Sequence, residues 1–185
     1  MRRKKTPEWL KPHKDALLSG IMVAILIAVS VFGVSRFSVG RQIASPTLYM
    51  QPSSSAVEPN DEVLVSLRVN TGQDPVRVAQ TTVLYDSARL QFIGFREEGS
   101  FTKVLADDAT VPGKIRLARG VPAGDPPIAG DHIVTTLKFE VLDVSGTAGI
   151  SLDQTASLLL RGSDSSNVLA ATAGTTLVLT GNAGL

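Results

Sequence analysis

The chain has 185 residues, a length that fits one folded domain and leaves little room for a second. It contains no cysteine, which excludes disulfide bonds, cysteine nucleophiles and cysteine-ligated zinc or iron–sulfur sites. The formal net charge of +1 averages two unlike parts, because residues 1–41 carry +6 and residues 42–185 carry −5. The acidic balance of the longer part argues against a nucleic-acid partner there.

Residues 16–35 are 20 consecutive uncharged residues, bounded by Asp15 and Arg36. A helix of this length spans about 30 Å, which is the hydrocarbon thickness of a bilayer. Six basic residues lie between Arg2 and Lys14, so the positive-inside rule predicts that residues 1–15 form a cytoplasmic basic tail. We therefore expect a single-pass protein of the cell membrane, with an uncleaved signal anchor at 16–35 and an extracellular C-terminal domain.

Two other interpretations of the apolar segment remain open. A cleaved signal peptide would have an apolar region of about 7–15 residues, and only Ser38 and Gly40 offer a small-x-small cleavage site. A pilin-like leader cleaved after Gly20 would be followed by an apolar stretch containing an acidic residue, which this chain lacks. Ala24 and Ala28 follow Gly20 at spacings of four, a pattern compatible with helix pairing in the membrane.

After a tether at residues 36–46, the hydrophobic residues alternate with a period of two, which predicts β-strands. Within 61–70, Val63, Val65, Leu67 and Val69 share one face. Within 133–142, one face is predicted to carry Ile133, Thr135, Leu137, Phe139 and Val141, and the other face Thr136, Lys138 and Glu140. Further strands are predicted at about 47–50, 76–85, 89–95, 114–119, 148–153, 156–161 and 174–180.

Turn-forming clusters separate these segments, among them Pro59-Asn60-Asp61 and Pro112-Gly113. Residues 162–176 are predicted to be a polar loop region that encloses at most one short strand. No stretch after residue 40 has helical periodicity over ten residues. The sequence therefore predicts an all-β domain at 47–180, an antiparallel, jelly-roll-like β-sandwich of eight to nine strands, followed by a tail at 181–185.

The sequence contains no nucleotide-binding, metalloprotease or hydrolase motif. The acidic pairs Glu97-Glu98 and Asp107-Asp108 flank predicted loops, which favours solvated charge over a general acid/base pair or a calcium site. His132 precedes a predicted strand and is expected at the surface or rim. We therefore expect a protein that is not an enzyme, with no catalytic residue, metal site or cofactor.

The strand predicted at 76–85 offers two candidate faces. Val78, Gln80, Thr82 and Leu84 share one face, and Ala79, Thr81, Val83 and Tyr85 share the opposite one. In a sandwich one of these sets packs inside and the other faces outward.

The order of these motifs resembles a cohesin domain, the extracellular β-sandwich of cellulosome scaffoldins, which is related in fold to carbohydrate-binding modules. The resemblance covers about 130 residues and is carried by the segments 59–63, 82–90 with its Tyr85-Asp86, 113–118 and 130–141. Two positions depart from the family pattern: Asn60 stands where the family usually has glycine, and Gln80 stands where some members use an acidic or amide side chain for partner contact.

The resemblance implies a flat face, formed by the strands at 76–85, 114–119 and 133–142, that binds a dockerin. Carried over by position, the partner-binding residues would be Val78, Gln80, Thr82, Leu84, Arg116, Ala118, Thr136 and Lys138. The expected function is a membrane-anchored module that captures a dockerin-like protein. The alternatives are a carbohydrate-binding or adhesive module that retains a polysaccharide, and a structural or pilus-associated subunit. The shortage of aromatic residues, which stack on sugar rings, favours a protein partner.

Overall fold

The computed structural model describes residues 45–142 and 145–180. The predicted membrane helix at 16–35, most of the tether and the tail at 181–185 lie outside these ranges. Within them, no helix has the length and hydrophobicity needed to cross a membrane. The helical element Gln154–Ala156 is a single 3₁₀ turn.

The described residues form twelve strands. In chain order these are β1 Thr47–Pro52, β2 Ala56–Val57, β3 Glu62–Asn70, β4 Val76–Tyr85, β5 Leu90–Arg96, β6 Lys103–Val111, β7 Lys114–Gly120, β8 Asp131–Val141, β9 Gly146–Leu152, β10 Leu158–Arg161, β11 Ala171–Ala173 and β12 Thr175–Leu179. A five-stranded sheet has the order β11-β1-β3-β8-β5. A seven-stranded sheet has the order β2-β12-β9-β4-β7-β6, and β10 also pairs with β4. The predicted all-β sandwich is confirmed.

The predicted purely antiparallel pairing and the strand count were wrong. β1 pairs with β11 in parallel, and β2 pairs with β12 in parallel. Both terminal segments of the domain leave one sheet and join the other, so they run side by side twice. Gly174 lies between β11 and β12, where the C-terminal segment passes from one sheet to the other. A Cβ atom at this position would approach the Ile150 carbonyl oxygen to 2.5 Å. Strands of two or three residues are too short to produce a recognisable alternation.

The core lies between the two sheets and follows the predicted alternation in β3, where Val63, Val65, Leu67 and Val69 are buried. The prediction for the start of β8 was wrong. Leu67 pairs with Thr135 but Arg68 pairs with Ile133, so β8 has a bulge at Val134. A bulge adds one residue and reverses the alternation beyond it. Val134 is therefore buried, and Ile133 lies beside Arg68 on the outer side.

Strand β6 was not predicted, and all nine of its residues are exposed at the edge of the seven-stranded sheet. Register shifts against β7, between Val104 and Ala106 and between Asp108 and Val111, break the period of two. The predicted turn Pro112-Gly113 joins β6 to β7 as a hairpin, with Gly113 at φ 82°. The placement of Asp107-Asp108 next to a loop was therefore wrong, because both residues lie inside a strand.

Candidate functional site

The outward surface of β4, β6 and β7, called here the β4–β7 face, brings together most of the predicted binding residues. Its members are Val78, Gln80, Thr82 and Leu84 of β4, Lys114, Arg116 and Ala118 of β7, and Ala106 and Asp108 of β6. Gln80 pairs with Ala118 and Thr82 pairs with Arg116 across the sheet. The opposite set on β4 contains Ala79, Thr81 and Val83, all of which are buried, so the predicted division of this strand is confirmed.

A concavity of about 560 Å³ lies on this face, and the chain path explains it. Both β9 and β10 pair with β4, but Val83 pairs with Leu152 and Gln80 pairs with Leu158. Residues 153–157 therefore stand opposite only two residues of β4, and they leave the sheet as the 3₁₀ turn. The lining is formed by Gln80, Thr81, Thr82, Ala106, Lys114, Arg116, Leu117, Ala118, Thr155, Ala156, Ser157, Leu158 and Asn167.

The exposure of the face is uneven. Gln80, Leu84 and Arg116 are exposed, with 39% of Leu84 accessible to solvent. Thr82 and Ala118 are buried at the floor between their neighbours. The β4–β7 face therefore combines an exposed apolar side chain with accessible polar and cationic ones around a buried floor.

Asp108 is the acidic member of this face. Its carboxylate accepts hydrogen bonds from the Thr110 hydroxyl at 2.7 Å and the Thr110 amide at 3.1 Å. These hydrogen bonds, with smaller contributions from Arg116 and Lys114, lower the pKa of the Asp108 carboxyl below its usual value. Asp108 is therefore ionised at neutral pH and is held by its own turn.

Thr136 and Lys138 do not lie on the β4–β7 face, and their predicted grouping with it was wrong. Both belong to β8, in the five-stranded sheet, and face outward on the other side of the sandwich. Thr136 is buried there, with its hydroxyl 3.0 Å from that of Ser66, and the Lys138 ammonium lies 2.7 Å from Glu62. The chain changes sheets between β7 and β8, so strands that follow each other in sequence lie on opposite sides.

A polar cluster on this second outer face joins Tyr49, Arg68 and Asp131. The Tyr49 hydroxyl donates to the Asp131 carboxylate at 2.8 Å, and Arg68 Nε donates to the Tyr49 oxygen at 2.9 Å. Arg68 also forms an ion pair with Asp131 at 3.1 Å. Burial raises the pKa of the Tyr49 hydroxyl, and the Asp131 carboxylate raises it further. These side chains satisfy one another.

Between the two sheets, at the β5–β6 side, Arg119 is buried with 4% of its side chain exposed. It forms a bidentate ion pair with Asp107 and lies 4.8 Å above the centroid of the Phe95 ring. Asp107 thus lies on the Arg119 side of the edge strand β6 and Asp108 on its outward side, so the two carboxylates do not act as a pair. Arg119 was not predicted as a buried residue, because alternation puts this charged side chain at an inward position that apolar residues usually occupy.

The remaining candidate groups from the sequence are His132 and the acidic pair Glu97-Glu98. His132 is half-buried at the rim, between the Ser100 hydroxyl at 2.9 Å and the Ala129 carbonyl at 3.1 Å. Glu97 and Glu98 lie in the loop after β5, as predicted. Within residues 45–142 and 145–180, no group of three or more His, Asp or Glu side chains is arranged to hold a metal ion.

The fold and this face define a class of protein, a β-sandwich binding module with an extended contact surface on one sheet. Residues 50–178 match the cohesin domain family, so the chain belongs to the cohesin family, whose members are non-catalytic binding modules. No curated protein matched the chain in a sequence search.

Solved structures show the same fold at low sequence identity. The cohesin CaCohA2 of Clostridium acetobutylicum is 19% identical, with a TM-score of 0.62 over 74% of this chain and 93% of that one. The sixth cohesin of scaffoldin B from Acetivibrio cellulolyticus, solved with a Cel5 dockerin, is 17% identical, with a TM-score of 0.62 over 74% and 100%. A non-cellulosomal cohesin of the archaeon Archaeoglobus fulgidus is 15% identical, with a TM-score of 0.58 over 76% and 94%.

Several residues of the concavity were not predicted from the sequence. Lys114 shares the alternation of Arg116 and Ala118, so the same pattern could have identified it. Ala106 belongs to the unpredicted β6, as does Asp108 beside the concavity, and Thr155 and Asn167 lie in segments without periodicity. For those four residues the sequence offers no local signal.

Proposed function

We propose that this chain is a membrane-anchored, extracellular receptor that captures a dockerin-type protein on the β4–β7 face. The observation that carries the proposal is a cohesin-family sandwich whose seven-stranded sheet presents exposed apolar and cationic side chains around a concavity of about 560 Å³. An apolar centre with a polar rim is typical of protein-binding surfaces. The cohesin of Acetivibrio cellulolyticus, solved with a dockerin, supports a partner of that type.

The proposed anchor and orientation rest on the sequence of residues 1–46. A chain without cysteine allows a direct test, because a single introduced cysteine is the only thiol. We expect a membrane-impermeant maleimide to label Gln51→Cys in intact cells and to label Thr6→Cys only after the membrane is opened. Equal labelling of both variants in intact cells would contradict this orientation.

The aromatic side chains favour a protein over a glycan as the partner. Phe92 stacks edge-on with Phe95 and Phe139, and Tyr85 stacks edge-on with Phe139. The six aromatic residues in the described ranges are all buried or half-buried. A sugar-binding surface needs exposed rings to stack on.

The test uses residues 43–185, because all twelve strands and the buried core lie between Thr47 and Leu179. This domain serves as bait for the secreted and surface proteins of its source organism, beside a polysaccharide-retention assay. Gln80→Tyr inserts a bulky neutral side chain into the concavity. Gln51→Tyr is the matched control, since Gln51 is exposed on the outer face of the other sheet.

We expect a specific dockerin-type protein to bind the wild-type domain and Gln51→Tyr, and to be lost with Gln80→Tyr. Equal capture by both variants would show that the partner binds elsewhere. Retention on polysaccharide without any captured protein would assign the domain to the carbohydrate-binding alternative. Circular dichroism and thermal unfolding of each variant separate lost binding from lost folding.

A further inference from the structure

Just over half of the cationic side chains of the sandwich are neutralised by ion pairs within it. Residues 45–180 contain ten Lys and Arg residues, of which six form ion pairs with Asp or Glu. Arg77 donates a hydrogen bond to the Asp125 carbonyl at 2.7 Å. Among the described residues, Lys103, Lys114 and Arg116 are the cations whose side chains make neither an ion pair nor a hydrogen bond.

These three cations lie on neighbouring strands of one surface. Lys103 pairs with Gly120 at one end of β6, and Arg116 pairs with Asp108 further along. Lys114 and Arg116 are two residues apart on β7, so they point to the same side, about 7 Å apart along the strand. Residues 42–185 as a whole carry −5, so a surface with three unpaired cations differs in charge from the rest of the domain.

The nearby carboxylates are already engaged. Asp108 accepts its two hydrogen bonds from Thr110, and Asp153 accepts from the Thr155 hydroxyl at 2.7 Å and the Thr155 amide at 3.0 Å. Neither carboxylate forms an ion pair within 4.0 Å of Lys114 or Arg116. Both cations therefore retain their capacity for close ion pairs with a partner.

We infer that the partner bound on the β4–β7 face presents an acidic patch there, with at least two carboxylates about 7 Å apart that form ion pairs with Lys114 and Arg116. This inference rests on the proposed function and specifies the chemistry of the partner. Ala118 and Leu158 line the same concavity, so a docked partner would shield these ion pairs from water. Charge pairs across a shielded interface contribute to both affinity and selectivity.

The test uses the partner identified by the capture experiment, purified, with its affinity for residues 43–185 measured by surface plasmon resonance at two salt concentrations. Lys114→Gln/Arg116→Gln removes both charges without adding new ones. We expect an affinity about 100-fold lower than wild type at low salt, and a weaker dependence of affinity on salt. Lys114→Arg/Arg116→Lys keeps both charges and should retain affinity within about tenfold.

The matched control is Arg96→Gln/Lys138→Gln, which makes the same two types of change on the five-stranded sheet, where each cation gives up one surface ion pair. We expect its affinity to stay within about twofold of wild type. Unchanged affinity of Lys114→Gln/Arg116→Gln, with binding lost in Gln80→Tyr, would overturn the acidic patch and leave the proposed function standing. Unchanged affinity in both variants would show that the partner does not bind on the β4–β7 face.

Discussion

The two outer faces of the sandwich differ in how their polar side chains are paired. On the five-stranded sheet, Tyr49, Arg68 and Asp131 bind one another, and Lys138 binds Glu62. On the seven-stranded sheet, Lys114 and Arg116 stand without such partners beside apolar residues and a concavity. Because a side chain that is already satisfied gains little from a partner, the comparison favours the seven-stranded sheet as the binding surface.

The largest effect on stability is expected from Asp107→Asn, which would leave the buried Arg119 guanidinium between the sheets without its counter-ion. We expect a loss of about 3 kcal/mol in the free energy of unfolding, at the low end for a buried pair because Asp107 is one-third exposed. Urea unfolding measures this loss. A loss below about 1 kcal/mol would mean that burial does not distinguish this pair from those on the outer faces.

Replacing an exposed apolar residue on each outer face compares the contributions of the two faces to partner binding. Leu84→Ser should weaken partner binding by about 2 kcal/mol, because it removes an exposed apolar contact from the β4–β7 face. Ile93→Ser is the control, since Ile93 of β5 has a similar exposure of 44% against 39% for Leu84. Calorimetric titration with the captured partner compares the two. Equal losses from both substitutions would remove the distinction between the faces.

Substitutions in the turn before β3 are expected to change the stability of the domain without altering either outer face. Asn60 has φ 65°, a left-handed conformation that asparagine tolerates and β-branched residues do not. This conformation explains why asparagine can stand where the resemblance suggested glycine. Asn60→Val should cost about 1.5 kcal/mol in thermal unfolding, whereas Asn60→Gly should change stability little. Partner affinity of the folded protein should be unchanged in both.

The smallest effect is expected from the paired network on the five-stranded sheet. Asp131→Asn should lower the free energy of unfolding by about 0.5 to 1 kcal/mol, because Arg68 and Tyr49 remain partly solvated. Denaturant unfolding measures the change, and partner affinity is expected to be equal to that of wild type. A clear loss of affinity would mean that this face also contacts the partner.

Much of the fold could be predicted because strand alternation is a local property. The inward residues of β3 and the division of β4 into two faces follow from a period of two, which regular strands of nine or ten residues are long enough to display. The pattern failed where the register shifts, at Val134 in β8 and throughout β6, because a bulge depends on the partner strand. It also failed for β2 and β11, which are two and three residues long.

For the binding surface, the sequence by itself determined which residues of β4 and β7 share a side, because successive side chains of a strand point to opposite faces. Only the tertiary structure decided that β8 belongs to the other sheet, which separates Thr136 and Lys138 from Gln80 and Arg116. Sheet membership depends on hydrogen bonds between strands distant in the chain, and no local pattern encodes it. Alternation places Arg116 and Arg119 on opposite sides of β7, but only the tertiary structure brings Asp107 and Phe95 to the buried Arg119 guanidinium.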